Sequence, residues 1–264
     1  MRRLLSFECD GAELAASLDS VGGTTGVLLV TGGTQTRIGS HRMYERLAKS
    51  LSDQGFPCFR FDRRGVGDSA GEDPGFRGSD ADLVAADKAF RRECPALERV
   101  YGLGLCDGAT ALALFAAAAG LDGIILVNPW LVEAEAGEPP AAAIRARYRK
   151  QLLSLEGWKK ILSGAIDYGK LFKGLRKIFA SDDGAPLARD AAAALRAGGR
   201  RAWLILAEDD ATAIAAVAEL KAPAFAGLVE GREIVKSDSH TFARPGDDAA
   251  LATATLRALK TLSS

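Results

Sequence analysis

Two histidines are all this 264-residue chain contains, His41 and His240. Any chemistry that needs an imidazole must use one of them. Cysteine is nearly as scarce. Cys9, Cys58, Cys94 and Cys106 show no paired metal-site spacing, so neither a zinc site nor a framework of bridges is expected. Free thiols fit a reducing compartment. Charge of one sign is missing too: 34 basic residues balance 34 acidic ones, which removes a global electrostatic case for binding nucleic acid. Long apolar runs are also lacking, and no stretch reaches membrane-spanning length. After Met1-Arg2-Arg3 the apolar stretch breaks at Glu8 and Asp10, so a cytoplasmic location is expected rather than a signal peptide. What remains is 48% hydrophobic and 26% charged, with 29 Gly and 9 Pro, an ordinary globular composition.

The order of elements is informative. Residues 2–9 and 12–20 alternate in polarity around Asp10-Gly11, the strongest short signal for a β-hairpin. Residues 26–30, 56–61, 99–105 and 123–127 are short apolar runs suited to strands buried on both faces. Helical spacing falls between them, at 41–54 with Ser40 as N-cap, at 79–93 and at 109–119. The rhythm stops over 131–200, where helical patterns occur without a clear strand. It resumes with strands at 202–206 and 232–235 and helices at 211–220 and 247–262. Strands alternating with helices predict a mostly parallel sheet covered on both faces. The expected organisation is one α/β core from 1–130 and 201–264, an antiparallel hairpin at its N-terminal edge, and a helical lid inserted at 131–200.

The stretch Val100-Tyr-Gly-Leu-Gly-Leu-Cys-Asp-Gly108 organises the rest. A strand runs into Gly-x-Cys-x-Gly and then into a small, Ala-rich helix, which is the pattern of a nucleophile elbow carrying cysteine. The tip residue takes a strained backbone, and the residues two before and two after must be tiny because strand and helix nearly touch. The positive end of the helix dipole favours a thiolate there. The base is then His240, just past the last strand, where a loop at the carboxyl end of a parallel strand faces the ligand crevice. The acid belongs after the 202–206 strand, where Glu208-Asp209-Asp210 stands, with Asp210 ahead of Asp209. Nucleophile, acid, histidine is the chain order of α/β hydrolases. Two backbone amides would hold the oxyanion: that of Asp107, directly after the nucleophile, and that of Gly33, with Thr34 second, in the loop after the third strand. His41 is expected to be a structural or rim residue, and Arg63 or Arg64 to brace the loops through ion pairs. Cys9, Cys58 and Cys94 have no functional context.

Taken together, Leu28-Leu-Val-Thr-Gly-Gly33, Phe61-Asp-Arg-Arg-Gly-Val-Gly-Asp-Ser69, Gly104-Leu-Cys-Asp-Gly108 and His240 resemble the α/β-hydrolase superfamily. More narrowly, Gly32-Gly-Thr-Gln-Thr-Arg-Ile-Gly-Ser-His-Arg42 with Gly104-Leu-Cys-Asp-Gly-Ala109 resembles the exosortase A system-associated hydrolase 1 family, bacterial proteins encoded near exopolysaccharide and protein-sorting genes. The resemblance spans the chain apart from 131–200 and implies a hydrolase with a cysteine nucleophile and no stated substrate. One departure concerns the acid: many relatives carry a Gly-x-Asp turn where this chain has three carboxylates in a row.

A thiolate suits thioesters, lactones and activated esters better than amides. The expected substrate is a small acyl compound, free or carried on CoA or a carrier protein, with no cofactor and no metal. Basic residues dominate 141–180, Lys159 and Lys160 among them, interleaved with Trp158, Leu162, Phe172 and other apolar residues. They read first as the solvated face of lid helices, and more sharply as a receptor for a phosphopantetheine-bearing carrier, a CoA ester or an acidic membrane surface. Two rivals stand beside the hydrolase. Gly102-x-Gly104-x-x-x-Gly108 could open a dinucleotide fold, and Thr31-Gly32-Gly33 is similar to short-chain dehydrogenases, but no Tyr-x-x-x-Lys occurs. A hydrolase fold can also be non-catalytic, or transfer an acyl group rather than hydrolyse it.

Overall fold

The structure is a computed structural model that describes residues 1–132 and 185–263. Eight strands form one sheet: β1 (Arg2–Cys9), β2 (Ala12–Asp19), β3 (Thr25–Val30), β4 (Cys58–Phe61), β5 (Arg99–Leu105), β6 (Gly123–Val127), β7 (Arg201–Ala207) and β8 (Val229–Val235). Their order across the sheet is β1-β2-β4-β3-β5-β6-β7-β8. β1 and β2 are antiparallel, β2 meets β4 antiparallel, and every pair from β4 to β8 is parallel. Asp10 (φ 49°) and Gly11 (φ 78°) make the hairpin turn, both in the left-handed region that Asp and Gly tolerate best.

Helices cover both faces. On one side lie α2 (Asp80–Glu93), α3 (Asp107–Phe115), α4 (Pro186–Gly198) and α5 (Ala211–Glu219), joined to the sheet by a core containing Phe59, Phe90, Leu112, Leu126 and Leu204. On the other lie α1 (Met43–Ser52) and α6 (Asp247–Ser263), over Leu29, Tyr101, Leu103, Ile125 and Ile205. The strands between are buried on both faces, which is why they read as continuous apolar runs. Of the 131–200 span expected as a lid, 133–184 lie outside the described residues, and the basic stretch at 141–180 lies there entirely. The described end of that span is α4. Its Leu187, Ala188, Ala191 and Leu195 are buried, and most of these side chains share one core with α3.

Several boundaries differ from the sequence reading. Ser40 does not cap α1. It opens a single 3-10 turn, His41 and Arg42 follow at positive φ, and the α-helix begins at Met43 with no side-chain cap. The fourth strand starts at Cys58, not Phe56. The last runs from Val229 rather than 232, because Trp203 and its neighbours on β7 supply pairing partners that far back.

Candidate active site

β5 dictates how the elbow is built. Side chains alternate across it, and Val100, Gly102 and Gly104 face α3. A Cβ on Gly102 would lie 2.6 Å from Leu112, and one on Gly104 2.6 Å from the Gly108 backbone. A Cβ on Gly108 would reach within 2.6 Å of the Val30 carbonyl. Those glycines let strand, turn and helix close on one another. Cys106 sits at the tip with φ 60° and ψ −126°, immediately before the first residue of α3. The tip is pinned on both sides: its N–H donates to Val127 O at 3.0 Å, and its carbonyl accepts from Trp130 N at 3.1 Å. Beneath it, the buried Tyr44 hydroxyl donates to Val30 O at 2.8 Å and accepts from Leu105 N at 2.9 Å.

His240 Nδ1 lies 3.0 Å from Asp210 Oδ2. The side chain of Cys106 lies near enough to the same ring to help raise its pKa, and Nε2 is the nitrogen that Asp210 leaves open. Burial alone would lower the pKa of His240, but the hydrogen bonds and negative charges of Asp210 and Cys106 outweigh it and push the value up to about 10. An imidazolium is therefore the favoured state of the ring between its two partners. Asp210 is buried, whereas Glu208 and Asp209 are exposed. Its Oδ2 also accepts the N–H of Ala213 at 2.9 Å, making it the N-cap of α5. One carboxylate oxygen thus serves both the helix start and the histidine.

The other three cysteines stand in different surroundings. Cys58 is buried, and desolvation raises its pKa. Burial and the adjacent Asp82 push the Cys9 thiol up to about 12, and burial raises Cys94 as well. Such thiols stay protonated and inert.

Gly33 and Asp107 are adjacent, but not as two free amides. The Gly33 N–H donates to the Asp107 side chain, Oδ1, at 2.6 Å. Thr34 follows on the same exposed loop. Arg63, which is 2% exposed, donates from Nη2 to Gly33 O at 2.5 Å. It braces the loop as expected, though through a backbone carbonyl rather than a close ion pair, since Asp73 is 4.0 Å away. Arg64 pairs with Asp82 at 2.7 Å and Asp10 at 3.0 Å. Asp62 is fully buried and accepts from both the backbone and the guanidinium of Arg37, tying the same loop to the end of β4.

Two further residues hold the histidine loop. Asn128 is fully buried with φ 40°. Its Nδ2 donates to His240 O at 2.9 Å, and its Oδ1 accepts from Ala207 N at 2.8 Å, locking the ends of β6 and β7 to the catalytic-candidate loop. His41 Nε2 donates to Thr241 O at 2.8 Å, and its Nδ1 accepts from Arg46 at 2.8 Å. It is the rim residue expected. Sequence reasoning passed over Asn128 and Tyr44. The available signal for Asn128 was a polar residue closing a fully apolar strand, before Pro129.

Among the described residues, no group of three His, Cys, Asp or Glu side chains is arranged to hold a metal ion, and no helix is long and apolar enough to cross a membrane.

Solved structures share this architecture. A Pyrococcus furiosus esterase, Pf2001, aligns over 97% of this chain and 92% of its own at a TM-score of 0.64 and 14% identity. Est1E of Butyrivibrio proteoclasticus, solved with ferulic acid bound, aligns over 98% of this chain and all of its own, with a TM-score of 0.63 and 14% identity. A dienelactone hydrolase from Anabaena variabilis covers 96% of this chain and 94% of its own, at 0.61 and 16%. At such identities the likeness is one of fold. No curated protein matches at the level of sequence. The sequence itself matches the alpha/beta hydrolase family over residues 27–254, and the chain belongs to that family.

Proposed function

We propose that the protein hydrolyses small ester or thioester substrates through a covalent acyl intermediate on Cys106. The observation that carries this reading is the pairing of His240 with Asp210, at 3.0 Å, near a cysteine at the tip of a strained strand-to-helix turn whose side chain helps raise the pKa of the ring. The thiolate of Cys106 attacks the acyl carbon, and the carbonyl electron pair moves to oxygen. On collapse the leaving group departs with its bonding pair and takes the proton from His240 Nε2. His240, now neutral, then draws a proton from water as the water oxygen attacks the thioester. Cys106 leaves as thiolate, and the imidazolium is restored. Asp210 keeps Nδ1 protonated and stabilises the charged ring throughout. Backbone amides of Gly33 and Asp107 are the donors proposed for the oxyanion. No step calls for a cofactor or a metal.

The esters handled by the structural neighbours support this class of chemistry and do not fix the substrate. A CoA- or carrier-bound acyl group, and the link to exopolysaccharide and sorting systems, rest on the resemblance alone. Intact-protein mass after brief exposure to acyl-thioesters and activated esters tests the reading. A transient acyl adduct is expected on the wild type and absent from Cys106→Ala. If none of the esters or thioesters ever loads Cys106 while the protein is folded, the role is binding and the catalytic assignment falls. An adduct that passes to an added alcohol or thiol faster than to water redefines the activity as transfer.

A further inference from the structure

The Gly33 N–H that would receive the oxyanion already has an anionic partner, Asp107 Oδ1 at 2.6 Å. The contact is built into the loop. Gly32 has no side chain, and a Cβ there would overlap Asp107 Oδ1 and lie 2.6 Å from Leu105 O. Gly33 itself adopts φ 56°. On the far side of the same residue, Arg63 holds Gly33 O at 2.5 Å, and among the described residues Arg63 Nε and Nη1 have no other hydrogen-bond partner. The loop is thus fixed between a carboxylate at its N–H and a buried guanidinium at its carbonyl. An amide aimed at a carboxylate oxygen is equally aimed at the oxygen of a tetrahedral intermediate.

We propose that Asp107 is a built-in occupant of the oxyanion pocket and a determinant of which acyl groups the site accepts. An incoming acyl oxygen competes with Oδ1 for the Gly33 N–H, and Asp107 must swing aside before Cys106 can be acylated. The displaced carboxylate, on the residue next to the nucleophile, then disfavours acyl groups bearing negative charge near the carbonyl. Asp107 takes no part in the bond changes: sulfur bonds to the acyl carbon, the leaving group departs with the His240 proton, and Asp107 only moves. The inference rests on the proposed roles of Cys106 and Gly33.

The test uses the full chain as wild type, Asp107→Asn and Asp107→Ala, with circular dichroism and melting to establish that each folds. The Gly33 amide is followed by proton–nitrogen NMR during titration with sodium acetate, and acylation by the nitrophenolate burst from p-nitrophenyl acetate. In Asp107→Ala the Gly33 amide proton is expected to move upfield and to return towards its wild-type position as acetate saturates the vacated pocket, while acetate leaves the wild type unchanged. The burst is expected to be about tenfold faster in Asp107→Ala, with Asp107→Asn between. An unmoved Gly33 amide in Asp107→Ala overturns the proposal, as does a burst equal to or slower than wild type in a folded variant. If no form shows a burst, the assignment of Cys106 as nucleophile fails by itself. The acetate titration still decides occupancy: saturation in Asp107→Ala alone upholds it, and indifference in both proteins overturns it.

Discussion

The two ends of the parallel sheet are made differently. At the carboxyl ends the chain is bent into conformations that side chains avoid. Cys106 after β5, Asn128 after β6, Phe242 after β8, and His41 and Arg42 in the loop after β3 all have positive φ. The one other non-glycine residue of this kind among those described is Asp10, in the hairpin turn. Each such residue costs roughly 1–3 kcal/mol and persists only where its surroundings fix it. At the amino ends the backbone is relaxed and the side chains complete a helix. Arg99, Tyr101 and Arg201 donate to the carbonyls of Leu262 and Ser263, which the last turn of α6 leaves without intrahelical partners. A shallow cavity of about 210 Å³ opens there, lined by the same residues together with Asp122, and no histidine or cysteine lines it. Strain with paired titratable groups marks one end, and side chains that complete a helix mark the other. Apart from those at Asp107, substitutions at the carboxyl end are therefore expected to cost activity before stability, and those at the amino end the reverse.

The sharpest break in that contrast is Asp210, which belongs to both kinds of structure. Asp210→Ala removes the partner of His240 Nδ1 and the cap of α5 together. Acylation of Cys106 is expected to fall about 10³–10⁴-fold, while loss of the cap costs only about 1 kcal/mol of stability. Asp209→Ala, at an exposed position, is expected to stay within about twofold of wild type. Burst kinetics and chemical denaturation on the pair separate the two functions of the carboxylate. Equal losses from both variants would return the choice of acid to the open state that three consecutive carboxylates suggest.

The pH dependence of stability probes the carboxyl end without any substrate. His240 is held at about 10 in the folded protein, above its ordinary 6.5. A raised pKa means the folded state binds the proton more tightly. The stabilisation is fully present below pH 6.5 and is lost as pH rises through about 10. The difference in melting temperature between wild type and His240→Gln is expected to shrink steadily from pH 7 to 10. A difference that stays constant or widens over that range would mean that the imidazolium is not held by Asp210 and Cys106 as the geometry indicates.

Asn128 gives a smaller effect of the same kind. Asn128→Asp keeps the acceptor for Ala207 N but loses the donor to His240 O. The histidine loop then loses one of its clamps, another being His41 on Thr241. A loss of about tenfold in kcat/KM is expected, of the size of one misplaced hydrogen bond at a site. The pH midpoint of His240 alkylation is expected to shift with it, a readout that a purely structural role would leave in place.

How much of this could be read from residues alone follows the same division. The hairpin at Asp10-Gly11, the glycines at 104 and 108, and the histidine after the last strand each obey a local rule, and the structure places them where that rule says. The sequence offers no physical ground for Asp210 over Asp209; the ground is burial, which depends on how α5 sits on the sheet. Ser40 matches the rule for a cap, yet the loop from Gly32 to Arg42 is tied down by Asp62 and Arg63 from elsewhere, and the helix starts late. The second use of Asp107 was invisible for the same reason. Its contact with Gly33 spans 74 positions and exists only because two loops converge over the sheet.

The amino end supplies the last and smallest prediction. Tyr101 is 2% exposed and donates from its hydroxyl to Leu262 O at 2.9 Å. Tyr101→Phe removes that donor and leaves the ring in the core. The cost is about 1 kcal/mol, or a fall of about 2–4 °C in melting temperature for a domain of this size. Acylation of Cys106 is expected to be unchanged, because β5 is held at its far end by Tyr44, Val127 and Trp130 through contacts that Tyr101 does not touch. A measurable loss of acylation rate in a variant that melts only slightly earlier would show that the register of β5 is set jointly from both ends. The elbow would then depend on the same hydrogen bonds that finish α6, and the division between the two ends of the sheet would hold for chemistry but not for mechanics.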